Sequence, residues 1–333
     1  MLGSSERDFF RDADPLGFIV FARNCETPEQ LKALTSDLRD AVGRDDAPVL
    51  IDQEGGRVAR LRPPHWRKAP AAEMFGAAYE IDPARALQAT RANATLMGRE
   101  LLAHGIDVDC APLLDLRFAG ASDVIGDRAL SANPEIVAAL GRAVSDGLLN
   151  AGILPVIKHL PGHGRGAVDS HFALPVVDTP RAELATSDFA PFKALADAPL
   201  GMTAHIVYSD IDPDLPATMS KKLIDDVIRG EIGFDGFLIC DDVSMEALDG
   251  DLEQRAAAAV AAGCDVALHC NGKLGEMQAI AAQLPALTEA AKQRWQRAQD
   301  ARAASVKDSL EDLTDPQMWQ ILEDLLGDLG DAG

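Results

Sequence analysis

The sequence predicts an α/β protein, a single (β/α)8 TIM-like barrel. Seven short apolar runs of strand length alternate with helical segments, a pattern typical of βαβ units and a parallel sheet. Polar residues follow almost every run, where a barrel gathers its functional side chains. The runs cover residues 17–21, 48–51, 106–111, 154–157, 200–203, 237–239 and 266–268.

The helices between the runs begin with a repeated signal, a capping residue followed by proline. It occurs at Thr27-Pro28, Asp82-Pro83, Asn133-Pro134 and Thr179-Pro180. Such a residue accepts a free amide of the first turn, and proline fits the first helical position. The glycines at 105 and 152 indicate helix ends before the next strands.

Seven polar strand ends favour a closed barrel over an open doubly wound sheet. No glycine-rich nucleotide motif follows any strand, so no nucleotide site is expected. We expect residues 1–333 to form one catalytic domain. We expect residues 327–333 to be a frayed tail.

Composition excludes several classes of partner. The formal net charge is −22, which disfavours nucleic acid and anionic membranes as partners. The five cysteines form no CxxC pair and predict neither a disulfide framework nor a zinc ribbon. With a charged first segment that lacks a signal-peptide core, they predict a cytoplasmic protein, which we expect to be a monomer.

Histidines concentrate between residues 158 and 171, in the run KHLPGHG at 158–164 and in DSH at 169–171. A metal site pairing His159 with His163 would need a helix, which Pro161 and the neighbouring glycines disfavour. Asp169 and His171 form a better pair, because a carboxylate can fix the tautomer of an imidazole that transfers protons. A histidine that merely anchors the loop is the alternative.

Two carboxylates, Asp241 and Asp242, follow Cys240 after the run at 237–239. Side chains alternate along a strand, so only one can point into a barrel mouth. A carboxylate there could attack an anomeric carbon, whereas an N-cap or an ion pair would be a structural use. Periodicity does not decide which aspartate faces inward.

The segment DQEGGRVAR at 52–60 follows the second run. The Asp52 carboxylate could accept hydrogen bonds from two sugar hydroxyls. The arginines of this segment could bind polar oxygens or form structural ion pairs. Arg128, in a long loop, could bind substrate or close that loop.

Together these segments resemble the bacterial glycoside hydrolase family 3 β-N-acetylglucosaminidases of peptidoglycan recycling. The matching stretches include DQEGGRV at 52–58, KHLPGHG at 158–164, DSH at 169–171, TAHI at 203–206 and DDVSM at 241–245. The resemblance runs from about residue 17 to about residue 271 and keeps the order of the motifs. Relatives often start with an additional strand, so we expect the first barrel strand to be truncated.

The resemblance implies residue roles and a reaction. Asp241 would be the nucleophile, His171 the acid/base and Asp169 its partner. The sugar would be bound by Asp52, Arg60, Arg128, Lys158 and His159. The implied reaction is release of terminal β-linked GlcNAc from muropeptide-type oligosaccharides by double displacement, with no metal or other cofactor.

Four alternatives remain open from the sequence. Phosphate could replace water as the acceptor, or the substrate's acetamido group could replace Asp241 as the attacking group. The chain could be a silent sugar-binding module, or a metal-dependent hydrolase.

Overall fold

The computed structural model describes residues 2–121, 123–166, 174–308 and 314–331. Asp169 and His171 lie outside the described residues. The chain divides into two compact units. The first comprises Met1–Ala111, Ala143–Pro155 and Ala301–Gly333, and the second comprises Pro112–Arg142 and Val156–Asp300. The expectation of a single catalytic domain stays a prediction.

The first unit holds the first three strands of a parallel sheet and the helices that pack beside them. Its strands are β1 (Phe18–Val20), β2 (Val49–Ile51) and β3 (Val108–Asp109). Its helices are α1 (Ser4–Ala13), α2 (Pro28–Val42), α3 (Ala72–Ile81), α4 (Pro83–Leu102) and α11 (Asp315–Asp331). The last helix runs through residues 327–331, part of the segment expected to be frayed.

Local signals explain why these helices begin and end where they do. Thr27 Oγ1 accepts from the amide of Gln30 at 3.2 Å, with Pro28 at the first position of α2. Asp82 Oδ1 accepts from the amide of Arg85 at 3.2 Å at the start of α4. Gly43 ends α2 at φ +63°, a left-handed conformation that glycine adopts without strain.

The core of the first unit lies between α2 and the sheet. Leu31, Val49 and Ile51 are each 0% exposed and belong to one apolar cluster. Burial of a leucine or isoleucine side chain contributes about 1.5–3 kcal/mol, so this cluster stabilises the unit.

The second unit continues the parallel sheet. Its strands are β4 (Leu154–Leu160), β6 (Leu200–Thr203), β8 (Phe237–Asp242) and β9 (Val266–Leu268). The first two residues of β4 belong to the first unit, and the second unit begins at Val156 of this strand. A separate pair joins β5 (Val176–Val177) to β7 (Val207–Tyr208). Its helices are α6 (Arg181–Thr186), α7 (Ala190–Ala194), a π-helical segment (Leu223–Glu231), α8 (Leu252–Ala262) and α9 (Leu274–Gln283). Helices α5 (Pro134–Asn150) and α10 (Glu289–Asp308) contribute residues to both units.

All seven predicted runs form strands. They pair in the order β1-β2-β3-β4-β6-β8-β9, and every pairing is parallel. The α/β class with a parallel sheet is therefore confirmed. Within the described part of the chain, α1 precedes the first strand and the large sheet has seven strands.

None of the helices in the described ranges is both long enough and apolar enough to span a lipid bilayer.

Candidate active site

The two aspartates at the end of β8 have different surroundings. Asp242 Oδ1 accepts from the amides of Ser244 (2.9 Å) and Cys270 (3.1 Å). Asp242 Oδ2 accepts from the hydroxyl of Ser244 at 2.6 Å. The Asp242 carboxylate therefore closes the turn after β8 and ties it to the segment after β9.

Asp241 keeps most of its hydrogen-bonding capacity. In residues 2–121, 123–166, 174–308 and 314–331, its carboxylate has one hydrogen bond, from the amide of Asp242 to Oδ1 at 2.8 Å. A carboxylate can accept about four such bonds. Asp241, rather than Asp242, is thus the carboxylate available to a ligand.

The surroundings of Asp241 keep it ionised. Burial would raise the pKa of Asp241, but His205, His159, the amide of Asp242 and Lys158 together hold it below its usual value. An ionised carboxylate is the form required for attack on an anomeric carbon.

His205 lies under the end of β8 and is 0% exposed. Its Nε2 is 2.9 Å from the carbonyl oxygen of Asp242, and its Nδ1 is 2.8 Å from Thr218 Oγ1. A carbonyl oxygen can only accept, so Nε2 carries a hydrogen. Burial lowers the pKa of His205, although Asp241 opposes this shift. The Thr218 hydroxyl also donates to the carbonyl oxygen of Ala204 at 3.0 Å.

Lys158 and His159 lie near the carboxyl end of β4 and are 2% and 7% exposed. His159 Nδ1 lies 2.7 Å from Asp115 Oδ2, and Asp115 Oδ1 accepts from the amides of His159 (3.2 Å) and His163 (2.6 Å). One buried carboxylate therefore holds both the strand end and the turn that follows it.

The rings of His159 and His163 have centroids 5.5 Å apart and meet edge to face. Burial, together with repulsion from His159, lowers the pKa of His163 to about 4, although Asp115 and Asp241 oppose this shift. His163 is therefore neutral at physiological pH. Among the described residues, no three or more His, Cys, Asp or Glu side chains form a group that could hold a metal ion.

Arg128 belongs to a short 3-10 helix, Gly126–Arg128. Its Nη1 donates to the carbonyl of Val124 at 3.0 Å, which fixes the side chain against its own loop.

The first unit carries the other two predicted sugar ligands. Arg60 Nη2 donates to Asp52 Oδ2 at 2.9 Å, and the Arg60 guanidinium stacks on Phe21 with 5.2 Å to the ring centroid. The side chain of Gln53, 1% exposed, accepts from the amides of Arg60 (2.8 Å) and Leu61 (3.0 Å). These contacts hold Asp52 and Arg60 as a pair on a rigid loop.

Comparison with known families identifies the chain. Residues 6–302 match the glycosyl hydrolase family 3 N terminal domain. The chain belongs to this family.

Named relatives of this family 3 chain agree with the assignment. A β-hexosaminidase of Alkalilimnicola ehrlichii is 45% identical over 274 residues, covering 81% of this chain and 78% of the relative. A β-hexosaminidase of Idiomarina loihiensis is 39% identical and covers 91% and 90% of the two chains. The family 3 chain is therefore a glycoside hydrolase of the β-N-acetylhexosaminidase type, as predicted.

Solved structures of family 3 enzymes support the fold. Native NagZ from Neisseria gonorrhoeae superposes with a TM-score of 0.86 at 31% identity, covering 97% of this chain and 94% of that chain. The same protein has been solved in complex with N-trifluoroacetyl-D-glucosamine, with a TM-score of 0.85. The predicted TIM-like α/β barrel is confirmed.

Four residues of this family 3 site have contacts that the sequence alone did not reveal: Asp115, His163, His205 and Thr218. Asp115 and His205 each follow an apolar run, and this position after a predicted strand could have marked them as candidate site residues. Thr218 lies in the segment before the π-helix, and no pattern in the sequence indicates its contact with His205.

Proposed function

We propose that this β-N-acetylhexosaminidase is a retaining exo-β-N-acetylglucosaminidase of peptidoglycan recycling. Its substrates would be GlcNAc-anhydroMurNAc fragments, with or without a stem peptide, from which it releases the terminal non-reducing GlcNAc. The sequence motifs support this choice, as does the aminosugar ligand in the complex of its structural neighbour.

The observation that carries the proposal is the division of roles between the two strand-end aspartates. Asp242 is bonded to Ser244 and Cys270, whereas the Asp241 carboxylate accepts one bond, from the amide of Asp242. Asp241 is kept ionised by its neighbours and lies at the carboxyl end of a parallel strand, where barrels place their catalytic groups.

In the first step, a carboxylate oxygen of Asp241 attacks the anomeric carbon as the bond to the leaving oxygen breaks. His171 donates a proton to that oxygen, and a glycosyl ester of Asp241 forms. In the second step, His171 accepts a proton from water, and the water oxygen attacks the anomeric carbon. Asp241 leaves as a carboxylate, and GlcNAc is released with retained configuration.

A histidine suits both steps because its unperturbed pKa of about 6.5 allows it to donate and accept near neutral pH. Asp169, two residues away, is proposed to fix the tautomer of His171.

The sugar is proposed to be bound by Asp52, Arg60, Arg128, Lys158 and His159. The contacts that hold Asp52, Arg60, Arg128 and His159 support the assignment, because a protein side chain that is already fixed loses less conformational entropy when the sugar binds. That the protein acts as a monomer in the cytoplasm, without a cofactor, stays a prediction.

The proposal is tested with a slow 5-fluoro-GlcNAc donor, followed by digestion and mass spectrometry. The expected result is a sugar attached to Asp241 and to no other residue. An active enzyme that never becomes labelled would favour attack by the acetamido group instead. A parallel incubation in phosphate buffer should give GlcNAc, whereas GlcNAc 1-phosphate would indicate a phosphorylase.

A further inference from the structure

The strongest unassigned feature of the second unit is the buried carboxylate of Asp115. Its side chain is 0% exposed, and both of its oxygens are used. Oδ2 meets the imidazole of His159, while Oδ1 accepts two amides, one from His159 and one from His163. Burial of a carboxylate costs free energy unless its oxygens are hydrogen-bonded. We therefore ask what the contacts of Asp115 do for the residues that it binds.

The contact with His159 determines where the ring carries its hydrogen. Interactions with His159 and His163 outweigh burial and keep the pKa of Asp115 below its usual value, so the carboxylate is ionised and can only accept. At 2.7 Å from Oδ2, Nδ1 of His159 must therefore be the donor. In the neutral ring the other nitrogen, Nε2, is then an acceptor.

Nε2 of His159 is available to a ligand. It lies on the side of the ring away from Asp115, and no side chain or backbone group in the described ranges forms a hydrogen bond with it. The ring also interacts electrostatically with Asp241, so His159 belongs to the surroundings of the candidate nucleophile.

We propose that Asp115 is a positioning residue, which fixes His159 as the Nδ1–H tautomer and thereby presents Nε2 as an acceptor for a sugar hydroxyl. This inference rests on the proposed function, because it assigns an atom-level role to a proposed sugar ligand. Asp115 does not touch the sugar and acts only through His159.

An isosteric substitution separates this role from a purely structural one. In Asp115→Asn, the amide oxygen can still accept from the backbone amides of His159 and His163. The new NH2 group would face Nδ1 of His159, so a neutral ring has to lose its hydrogen there and carry it on Nε2. His159 would then offer a donor where the wild type offers an acceptor.

The direct readout is the ¹⁵N NMR spectrum of histidine-labelled protein, with His159→Ala used to assign the signals. In the wild type at a pH where the ring is neutral, we expect the His159 signals of an Nδ1–H tautomer. In Asp115→Asn, we expect the Nε2–H tautomer. As a control, Asp188→Asn changes a carboxylate that is 2% exposed and bound to Arg165, and it should leave the His159 signals unchanged.

The functional readout is a double-mutant cycle on kcat/KM for an aryl β-GlcNAc. Asp115→Asn should lower kcat/KM by about 10- to 100-fold in the wild-type background. This is the loss expected when the hydrogen bond between His159 Nε2 and the sugar hydroxyl is no longer formed. In the His159→Ala background it should have almost no further effect.

The two readouts fail independently. An Nε2–H tautomer in the wild type, or an unchanged tautomer in Asp115→Asn, would overturn the inference whatever the enzyme hydrolyses. Full additivity in the cycle would also overturn it, since Asp115 would then act without His159. Absence of aryl β-GlcNAc hydrolysis by the wild type would instead refute the proposed function.

Discussion

Nε2 of His205 donates a hydrogen bond to the carbonyl oxygen of Asp242, 2.9 Å away. The bond fixes the backbone at the end of β8, immediately after the peptide that carries the Asp241 side chain. His205 is held in turn by Thr218, whose hydroxyl also lies 2.8 Å from that of Thr203 on β6. The candidate nucleophile is therefore positioned by a buried polar network that joins two neighbouring strands.

Replacing His205 should weaken both stability and catalysis. In His205→Ala, the carbonyl of Asp242 and the hydroxyl of Thr218 lose a buried partner, which should lower the free energy of unfolding by about 1–3 kcal/mol. We expect kcat/KM to fall as well, because the backbone that carries Asp241 is less constrained. Urea denaturation and steady-state kinetics measure the two effects.

His205→Gln is the matched variant for this network. Its amide group can donate to one of the two partners, so it should lie between wild type and His205→Ala in both measurements. Equal activity of the alanine variant and the wild type would show that the bond does not position Asp241.

His163 should make the fold sensitive to mild acid. Its pKa is about 4 in the folded protein, below the ordinary value of 6.5, so between these pH values the unfolded chain binds more protons. The free energy of unfolding should therefore fall as the pH drops from about 6.5 to about 4. The contribution of this residue is at most about 1.4 kcal/mol per pH unit.

Denaturation of wild type and His163→Asn at several pH values isolates this contribution. The variant should lose less stability over the same interval. Parallel pH dependences for wild type and His163→Asn would contradict the buried, neutral histidine.

Gly164 is required by close packing of the chain after β4. A Cβ atom on this residue would lie 2.1 Å from the carbonyl oxygen of Leu116, a distance that real Cβ atoms do not reach. Gly164→Ala should displace the turn that contains His163 and cost about 1–3 kcal/mol of stability, as overpacking does. We also expect a loss of kcat/KM.

Gly275→Ala provides a control for the Gly164 variant, because no heavy atom lies within 4 Å of a Cβ built there. Gly275 lies in helix α9, so alanine should be neutral or stabilising by up to about 1 kcal/mol. Thermal melts and kinetics compare the pair, and a Gly164→Ala enzyme as stable and active as Gly275→Ala would refute the packing argument.

His171→Ala tests the acid/base assignment. Turnover of a natural disaccharide should drop by about 10²- to 10⁴-fold, the usual contribution of such a group. A dinitrophenyl leaving group needs little protonation, so cleavage of its glycoside to the glycosyl enzyme should be much less affected. Equal losses in kcat/KM on both substrates would mean that His171 does not protonate the leaving group.

The strands could be predicted from the sequence because their signals are local. Apolar runs between capped helices defined all seven strands, and Thr27 and Asp82 cap the helices that they were expected to cap. The polar residues after almost every run predict a site at the carboxyl ends of the strands, because parallel strands carry these ends to one edge.

The choice between Asp241 and Asp242 could not be made from local signals. It depends on the amide of Cys270, which is distant in the chain and meets the Asp242 carboxylate only after β8 and β9 have paired. The roles of Asp115 and His205 are hidden for the same reason, since their partners come from other strands and loops. Contacts of this kind follow from the fold rather than from any periodicity.

The most direct test of the central claim compares Asp241→Asn with Asp242→Asn in the hydrolysis of an aryl β-GlcNAc, with folding checked by circular dichroism. The account predicts that Asp241→Asn folds normally and loses at least about 10³-fold in kcat. Asp242→Asn should lose stability because its carboxylate closes a turn, yet the folded fraction should keep measurable turnover. A folded Asp241→Asn enzyme with undiminished turnover would contradict the account.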